Sequence, residues 1–369
     1  MKKILIVSTV SKQFYLFEEG NIEVLNSMGY EVHAAANFSD VNERLNDLKI
    51  IQHHFDIERS PFSLKNIKAY KQLKKIMRIE KFDAVHCHSP MGGVIARIAS
   101  RSEGITNILY TAHGYHFYKG SPIINWLLYY PIERFLAQLT RVLITINKED
   151  YENSKKFKAE KIFHVPGIGV NVQKFKKVKN RRGEIRKQLG IKEDTIVILS
   201  IGELIKRKNY ETALKSIAKV SASNVEYLIC GTGQLEKSLK NLSLNLDVSG
   251  KVRFLGFRND IAEICAAADL FLFPSHQEGL PVSVMEAMSA GLPVICSSIR
   301  GNEDLITEGV NGYLVNPKDE VGFAEKINNL ISNPLLCKKM SLNNIKKIES
   351  YSKENIKNLM VGIYETINE

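Results

Sequence analysis

No CxxC pair occurs among the five cysteines (Cys87, Cys230, Cys265, Cys296 and Cys337). Thiols scattered in this way exclude a disulfide framework and a zinc ribbon, and they suit a reducing compartment. No run of eighteen apolar residues exists, so no segment reads as a membrane span. The opening MKKILIVSTVSKQF has a basic start, but its apolar run is short and ends in polar residues. It reads as a first β-strand and not as a signal peptide, which makes a cytoplasmic location the expectation. DxD and HExxH are both missing, and a site that works without a metal ion is expected. The lack of GxGxxG after the first strand counts against a nicotinamide-dependent dehydrogenase. Solenoid repeats and low-complexity tracts do not occur either.

What is present is a 369-residue chain with 44% hydrophobic and 25% charged residues. That is the composition of a globular protein, and the length suits two domains better than one core. Short apolar, β-branched runs alternate with helical patterns, the mark of parallel α/β structure. The strand candidates are KILIVSTV, YEVHAAA, DAVHCH, NILYTA, RVLITI and KIFHVP, then TIVILSIG, VEYLICG, VRFLG, LFLFPS, PVICSS and GYLV. Continuous apolar strands imply sheets covered on both faces, and each half reads as a doubly wound domain. The Gly-, Pro- and Lys-bearing stretch 165–184 reads as the linker, with domains over 1–175 and 176–350. The tail YSKENIKNLMVGIYETINE reads as an amphipathic helix.

One stretch concentrates the chemistry: HQEGLPVSVMEAMSAGLPV, with Glu278 in a loop and Glu286 on the second turn of the following helix. Pro281 fits a helix start, and free N–H groups around Leu280, Val282 and Ser283 make a site for a diphosphate. Carboxylates beside a diphosphate are better placed to accept hydrogen bonds from neutral hydroxyls than to act as a hydrolytic pair. A capping Glu plus a solvated helix Glu is the plain alternative. SIGELIKRKN turns at Gly202 and supplies Lys206, Arg207 and Lys208, cations able to meet a leaving diphosphate. CGTGQLEKSL adds a turn at Gly231, and GFRNDI adds Arg258; tight turns explain both equally well. On the other half, LYTAHGYHFYKG puts His113 and Gly114 just after a strand, where such domains keep their sites. His86 and His88 share one strand face with no carboxylate supplied nearby, so a metal cluster is not expected there.

The net charge is +11, and between Arg59 and Lys81 eight Lys or Arg residues stand against the single Glu80. On the helix expected there, Ala69, Tyr70, Leu73, Ile76 and Met77 fall on one face and Lys68, Lys71, Lys74, Lys75 and Arg78 on the other. Such a face is either solvated or laid on anionic lipid. SPIINWLLYYPIERFL, with the only Trp, suits a headgroup-level contact, a lipid-tail groove or a core.

Together these segments resemble the retaining glycosyltransferases of family 4, and the resemblance covers nearly the whole length. Its most specific part is the E-x7-E element, Glu278 through Glu286. HCHSPMGGVIARIASR, YTAHGYHFYKGSPIINWLLYYPIER and ITINKEDY resemble the CapM/EpsD-like branch that builds capsule and exopolysaccharide. The resemblance implies the GT-B fold: an acceptor-side domain, a nucleotide-sugar domain facing it, and the 351–369 helix crossing back to the first. It implies that Glu278 holds donor-sugar hydroxyls, Glu286 the ribose, Lys208 the diphosphate and His113 the outer sugar hydroxyls. Gly202, Arg207, Gly231, Arg258 and the backbone from Leu280 through Pro281 and Val282 to Ser283 complete the donor side. Ser11, Lys12, His88 and Gly114 fall on the acceptor side. Glu203 departs from the pattern, which often has arginine there, and Arg207 is the substitute at hand.

The reading is therefore a metal-independent, retaining transfer of a sugar, HexNAc or 6-deoxy-HexNAc, from a UDP-sugar to a polyprenyl-diphosphate-linked acceptor. The enzyme would sit peripherally on the anionic inner face of the cell membrane, with no nucleic-acid partner. Three alternatives stand beside it: a sugar-nucleotide epimerase, a non-catalytic nucleotide-sugar-binding module, and a transferase acting on another glycolipid.

Overall fold

The computed structural model describes residues 1–40, 42–88 and 90–367, and it divides into two compact units. Met1–Ile168 with Lys353–Glu369 form the first, and Gly169–Ser352 the second. Ser89 of the HCHSPMGG pattern and Asn368 and Glu369 of the tail lie outside the described residues.

The first unit holds a parallel seven-stranded sheet in the order β3-β2-β1-β4-β5-β6-β7. Its strands are β1 (Lys3–Val10), β2 (Glu31–Asn37), β3 (Ile51–His54), β4 (Ala84–His88), β5 (Ile108–Ala112), β6 (Val142–Thr145) and β7 (Lys161–His164). Six of the seven were legible as apolar runs. β3 was not: IQHH sits on the sheet edge, largely exposed, and has no hydrophobic face to announce it. The central strands are buried on both sides, between Ile4, Ile6 and Leu109 on one face and Leu5, Val7 and Tyr110 on the other. Covering helices are α1 (Glu19–Ser27), α2 (Lys65–Glu80), α3 (Pro90–Ser102), α4 (Ile123–Ala137) and α5 (Lys148–Ser154). A π-helical turn, Phe14–Glu18, precedes α1 and turns both Phe14 and Glu18 into the interior.

The second unit holds a parallel six-stranded sheet in the order β10-β9-β8-β11-β12-β13. These are β8 (Ile196–Ile201), β9 (Val225–Cys230), β10 (Val252–Gly256), β11 (Leu270–Phe273), β12 (Val294–Ser297) and β13 (Gly312–Val315). The expected linker 165–184 is not a linker beyond Ile168. It folds into α6 (Val172–Val178) and the start of α7 (Arg182–Gln188), which belong to the second unit. Arg182 and Arg186 explain why: both pair with Asp269, and Arg186 also donates to the carbonyls of Ala267, Glu193 and Thr195. Arg182 of the expected linker, and Arg186 just beyond it, are thus held by acceptors of the second unit.

Further along are α8 (Tyr210–Ile217), α9 (Glu236–Asn245), α10 (Ile261–Ala267), α11 (Val282–Ser289), α12 (Asn302–Leu305), α13 (Glu320–Ser332) and α14 (Pro334–Ile348). The last helix, α15 (Lys353–Glu365), returns to the first unit and buries Ile356, Met360, Ile363 and Tyr364 there. Each such side chain contributes about 1.5–3 kcal/mol. Tyr364 adds a 2.8 Å hydrogen bond to His86 Nδ1, and Lys353 and Lys357 pair with Glu19 and Glu23 on α1.

Two surface features of the first unit bear on readings the sequence left open. α2 buries Ala69, Leu73 and Met77 as expected, but its cationic face is partly neutralised. Lys68 pairs with Asp56, and Lys74 and Arg78 share Glu103. Only Lys71 and Lys75 of the five stand without an ion pair among the described residues. α4, by contrast, exposes Ile123, Ile124, Leu127, Leu128, Ile132 and Phe135. Its one acid, Glu133, is turned inward onto Arg97 and Tyr110.

Candidate active site

In a doubly wound sheet the strand order reverses at one place, and ligands bind beyond the strand ends there. In the second unit that place lies between β8 and β11. Phe273 ends β11, and the chain continues through Ser275 to Glu278 before α11 begins at Val282. Glu278 is buried, and its Oε1 accepts from three donors: Ser275 Oγ at 2.6 Å, Arg207 Nη1 at 2.7 Å and Lys208 Nζ at 2.8 Å. The two cations arrive from the turn after β8, and Arg207 also donates to the Gln277 carbonyl at 2.8 Å. Lys208 lies over the Phe273 ring at 4.8 Å, and burial pulls its ammonium below the usual lysine range while Glu278 opposes that. Two cations thus meet on one carboxylate oxygen at the mouth of α11, with Glu203 a further negative charge felt by Lys208.

The first turn of α11 adds to that field. Pro281 is its N-cap, and no side chain caps the helix, so the leading N–H groups stay free. Pro281 thus precedes the helix by one residue instead of opening its first turn. The loop is held from behind by Arg300, whose Nε reaches the Glu278 carbonyl at 3.4 Å. Gly301 is equally specific: its φ is +80°, and a Cβ there would stand 2.2 Å from the Gly279 carbonyl oxygen. Glu286 lies half-buried on the second turn, where burial pushes its carboxyl up to about 7 and Lys174 of α6 pulls the other way.

The remaining residues expected on the donor side lie in neighbouring turns. Gly202 follows β8 directly, and its carbonyl accepts from Tyr210 at 3.0 Å. Gly231 has no room for a side chain, since a Cβ would lie 1.9 Å from the Gly202 carbonyl oxygen. Arg258 is occupied by Asp260 two residues on, at 2.8 Å. Glu203 is exposed, with its charge still felt by Lys208, while Arg207 joins Lys208 on Glu278 Oε1.

The first unit reverses its strand order between β1 and β4. Here the structure corrects the sequence reading, which found no carboxylate near the histidines. Glu18, delivered by the π-helical turn, places Oε1 3.1 Å from His88 Nδ1 and 3.9 Å from His113 Nε2. His88 Nδ1 and His113 Nε2 are 3.1 Å apart. Glu18, His88 and His113 form a set able to hold a divalent ion, as do His33, His53 and Glu80. Both imidazoles of the first set are pulled below the ordinary histidine range, chiefly by burial, and are neutral at pH 7. His86, on the same strand face, is structural: it bonds Tyr364 and, at 2.8 Å, Thr111.

Gly114 lies beside a cavity of about 400 Å³ lined by Tyr110, His116, Phe117, Tyr129 and Ile132, under α4. Ser11 and Lys12 line a different recess, with Asn37 and Asp40. They are not gathered with His88 and His113. The sequence reading missed Glu18, Gln13, Ser275, Arg300 and Gly301. Of these only Ser275 had a signal, since it lies three residues before Glu278 on the same loop.

Comparison with known proteins fits this geometry. Residues 181–347 match the family described as glycosyl transferases group 1, and residues 3–147 match glycosyl transferase 4-like. The chain is 37% identical to the glycosyltransferase EpsD of Bacillus subtilis over 98% of this chain and 96% of that protein. It is 34% identical to the Escherichia coli UDP-Gal:α-D-GlcNAc-diphosphoundecaprenol α-1,3-galactosyltransferase, over 69% and 68% of the two chains. Among solved structures, HepE of Anabaena in complex with UDP-glucose superposes with a TM-score of 0.82 at 19% identity, covering 99% of this chain and 100% of that one. The chain belongs to the group 1, family 4-like glycosyltransferases, enzymes of the GT-B fold.

Proposed function

We propose that this glycosyltransferase moves a HexNAc-type sugar from a UDP-sugar to a polyprenyl-diphosphate-linked sugar, with retention and without a metal ion. The observation that carries the reading is the meeting of Lys208 and Arg207 on Glu278 beside the uncapped start of α11. As the C1–O bond to the diphosphate breaks, charge grows on the leaving oxygen. Lys208, Arg207 and the α11 N–H groups stabilise it in a site with little water to reorganise. The acceptor oxygen bonds C1 on the same face, and its proton passes to the departing diphosphate. Glu278 and His113 hold sugar hydroxyls, and Glu286 the ribose.

Further support comes from similar proteins and from the surface. The Escherichia coli relative is named for a UDP-sugar and a diphosphoundecaprenol acceptor, and HepE binds UDP-glucose. No helix among the described residues is long and apolar enough to cross a membrane. The exposed apolar face of α4 suits an anionic membrane surface better than the half-neutralised α2 does. Lys71 and Lys75 add charge attraction.

The test is a transfer assay with UDP-sugars and polyprenyl-diphosphate GlcNAc in EDTA, followed by NMR of the new linkage. An α-linked product from an α-donor, formed in EDTA, is expected. Interconversion of UDP-sugars without acceptor would replace the proposal by an epimerase, and a requirement for added metal would remove its metal-independent part.

A further inference from the structure

We propose that Glu18 is a positioning residue that holds His113 as a neutral imidazole protonated on Nδ1, so that His113 donates a hydrogen bond from Nδ1 and does not act as a base through Nε2. The proposal rests on the reading of His113 as a sugar-contacting residue.

The proton positions follow from the neighbours. Gln13 Nε2 lies 2.9 Å from Glu18 Oε1 and 3.3 Å from His113 Nε2. A carboxylate can only accept, so it selects the amide-nitrogen orientation of Gln13, and that nitrogen can only donate. Glu18 Oε1 likewise lies 3.1 Å from His88 Nδ1, which must therefore carry the His88 proton. His88 Nε2 is then a bare nitrogen. It is the buried atom of that ring without a partner, where an N–H would be the more costly orphan. His113 Nε2 thus faces donors from Gln13 and His88 at 3.3 and 3.1 Å, with the Glu18 carboxylate 3.9 Å away. A lone pair is the only fit, and the single proton of the neutral ring goes to Nδ1. Nδ1 has no hydrogen-bond partner among the described residues, and the side chain is 26% exposed.

Glu18 itself is fixed by Asn21 Nδ2, which donates to Oε2 at 2.7 Å. The charged groups from every packed element are accounted for. Lys353 and Lys357 of α15 pair with Glu19 and Glu23, His86 of β4 is held by Tyr364 and Thr111, and no cation pairs with Glu18 among the described residues.

The experiment reads tautomers and turnover separately. Long-range 1H–15N correlation on the 15N-histidine-labelled full chain gives the His113 tautomer, its signal assigned by loss in His113→Gln. The wild type is expected to show Nδ1–H from pH 6.5 to 8.5. Glu18→Gln is expected to shift His113 toward the other tautomer and lower kcat about ten- to hundredfold with donor KM nearly unchanged. Glu18→Asp, which keeps the acceptor, should recover part of the loss. An Nε2–H signal in the wild type, or Glu18→Gln with wild-type tautomer and kcat, overturns the proposal. So does tightly bound zinc that leaves with EDTA, which would make the three residues metal ligands. Wild-type-like turnover in His113→Gln, with Nδ1–H still seen in the wild type, sinks only the sugar-contact reading.

Discussion

Glu286 is held ionisable in a place that resists the charge, and replacing it with Gln should separate stability from binding. Burial is the main cause that pushes its carboxyl up to about 7, from the ordinary glutamate value of 4.5. Between those values the folded state binds the extra proton, so Glu286 subtracts stability as pH rises from 4.5 and reaches its full effect above 7. A shift of that size is worth about 3 kcal/mol at pH 8 and under about 1 kcal/mol at pH 5. Gln keeps the shape and removes the charge. For a unit of this length, Glu286→Gln is expected to raise the melting temperature by about 6–12 °C at pH 8, with most of the gain gone at pH 5. Thermal unfolding followed at the two pH values checks the first half. Initial-rate kinetics check the second: donor KM rises severalfold at pH 8 while kcat changes less, because a ribose hydroxyl loses its anionic acceptor. A variant that is no more stable at pH 8, or whose gain does not depend on pH, would refute the burial argument. An unchanged KM would leave Glu286 with no part in donor binding.

Lys208→Ala is expected to lower kcat by about 10²–10³, the effect of losing one donor to a developing anion. Arg207→Ala should cost less, because its side chain is 40% exposed against 12% for Lys208; equal losses in steady-state assays would contradict that ordering. Replacing Ile124, Leu127 and Phe135 together by Ser should release the protein from phosphatidylglycerol vesicles in a flotation assay. These positions are exposed, so each change should alter stability by no more than about 0.5 kcal/mol. Lys71→Ala with Lys75→Ala should reduce vesicle binding only at low salt. Full vesicle binding by the Ser variant would remove α4 from the membrane reading.

The sequence reading reached both sheets, the loop between β11 and α11 and the last helix because each carries a local periodicity or borders an unbroken apolar run. It failed where a residue's role depends on what lies opposite. β3 is a polar edge strand visible only through its pairing with β2. The Lys- and Arg-rich stretch after Gly169 looked like a solvated linker until Asp269 and the carbonyls at the end of α10 appeared as its partners. The cationic face of α2 looked free until Asp56 and Glu103 were brought to it. The stretch around Trp126 could be core or surface by composition alone; Trp126, Tyr129 and Tyr130 pack against the core while Ile123, Ile124, Leu127 and Phe135 are exposed.

The spacing of Glu278 and Glu286 and the run Lys206–Lys208 were determined by sequence alone, because a loop, a proline and a helical turn fix their local geometry. The tertiary structure decided what no local pattern carries. Lys208 and Glu278 stand 70 positions apart in the chain, and His88 and Glu18 stand just as far apart, yet each pair comes together at a reversal of strand order. A parallel sheet delivers the carboxyl ends of distant strands to one edge, and burial there sets which groups keep their protons.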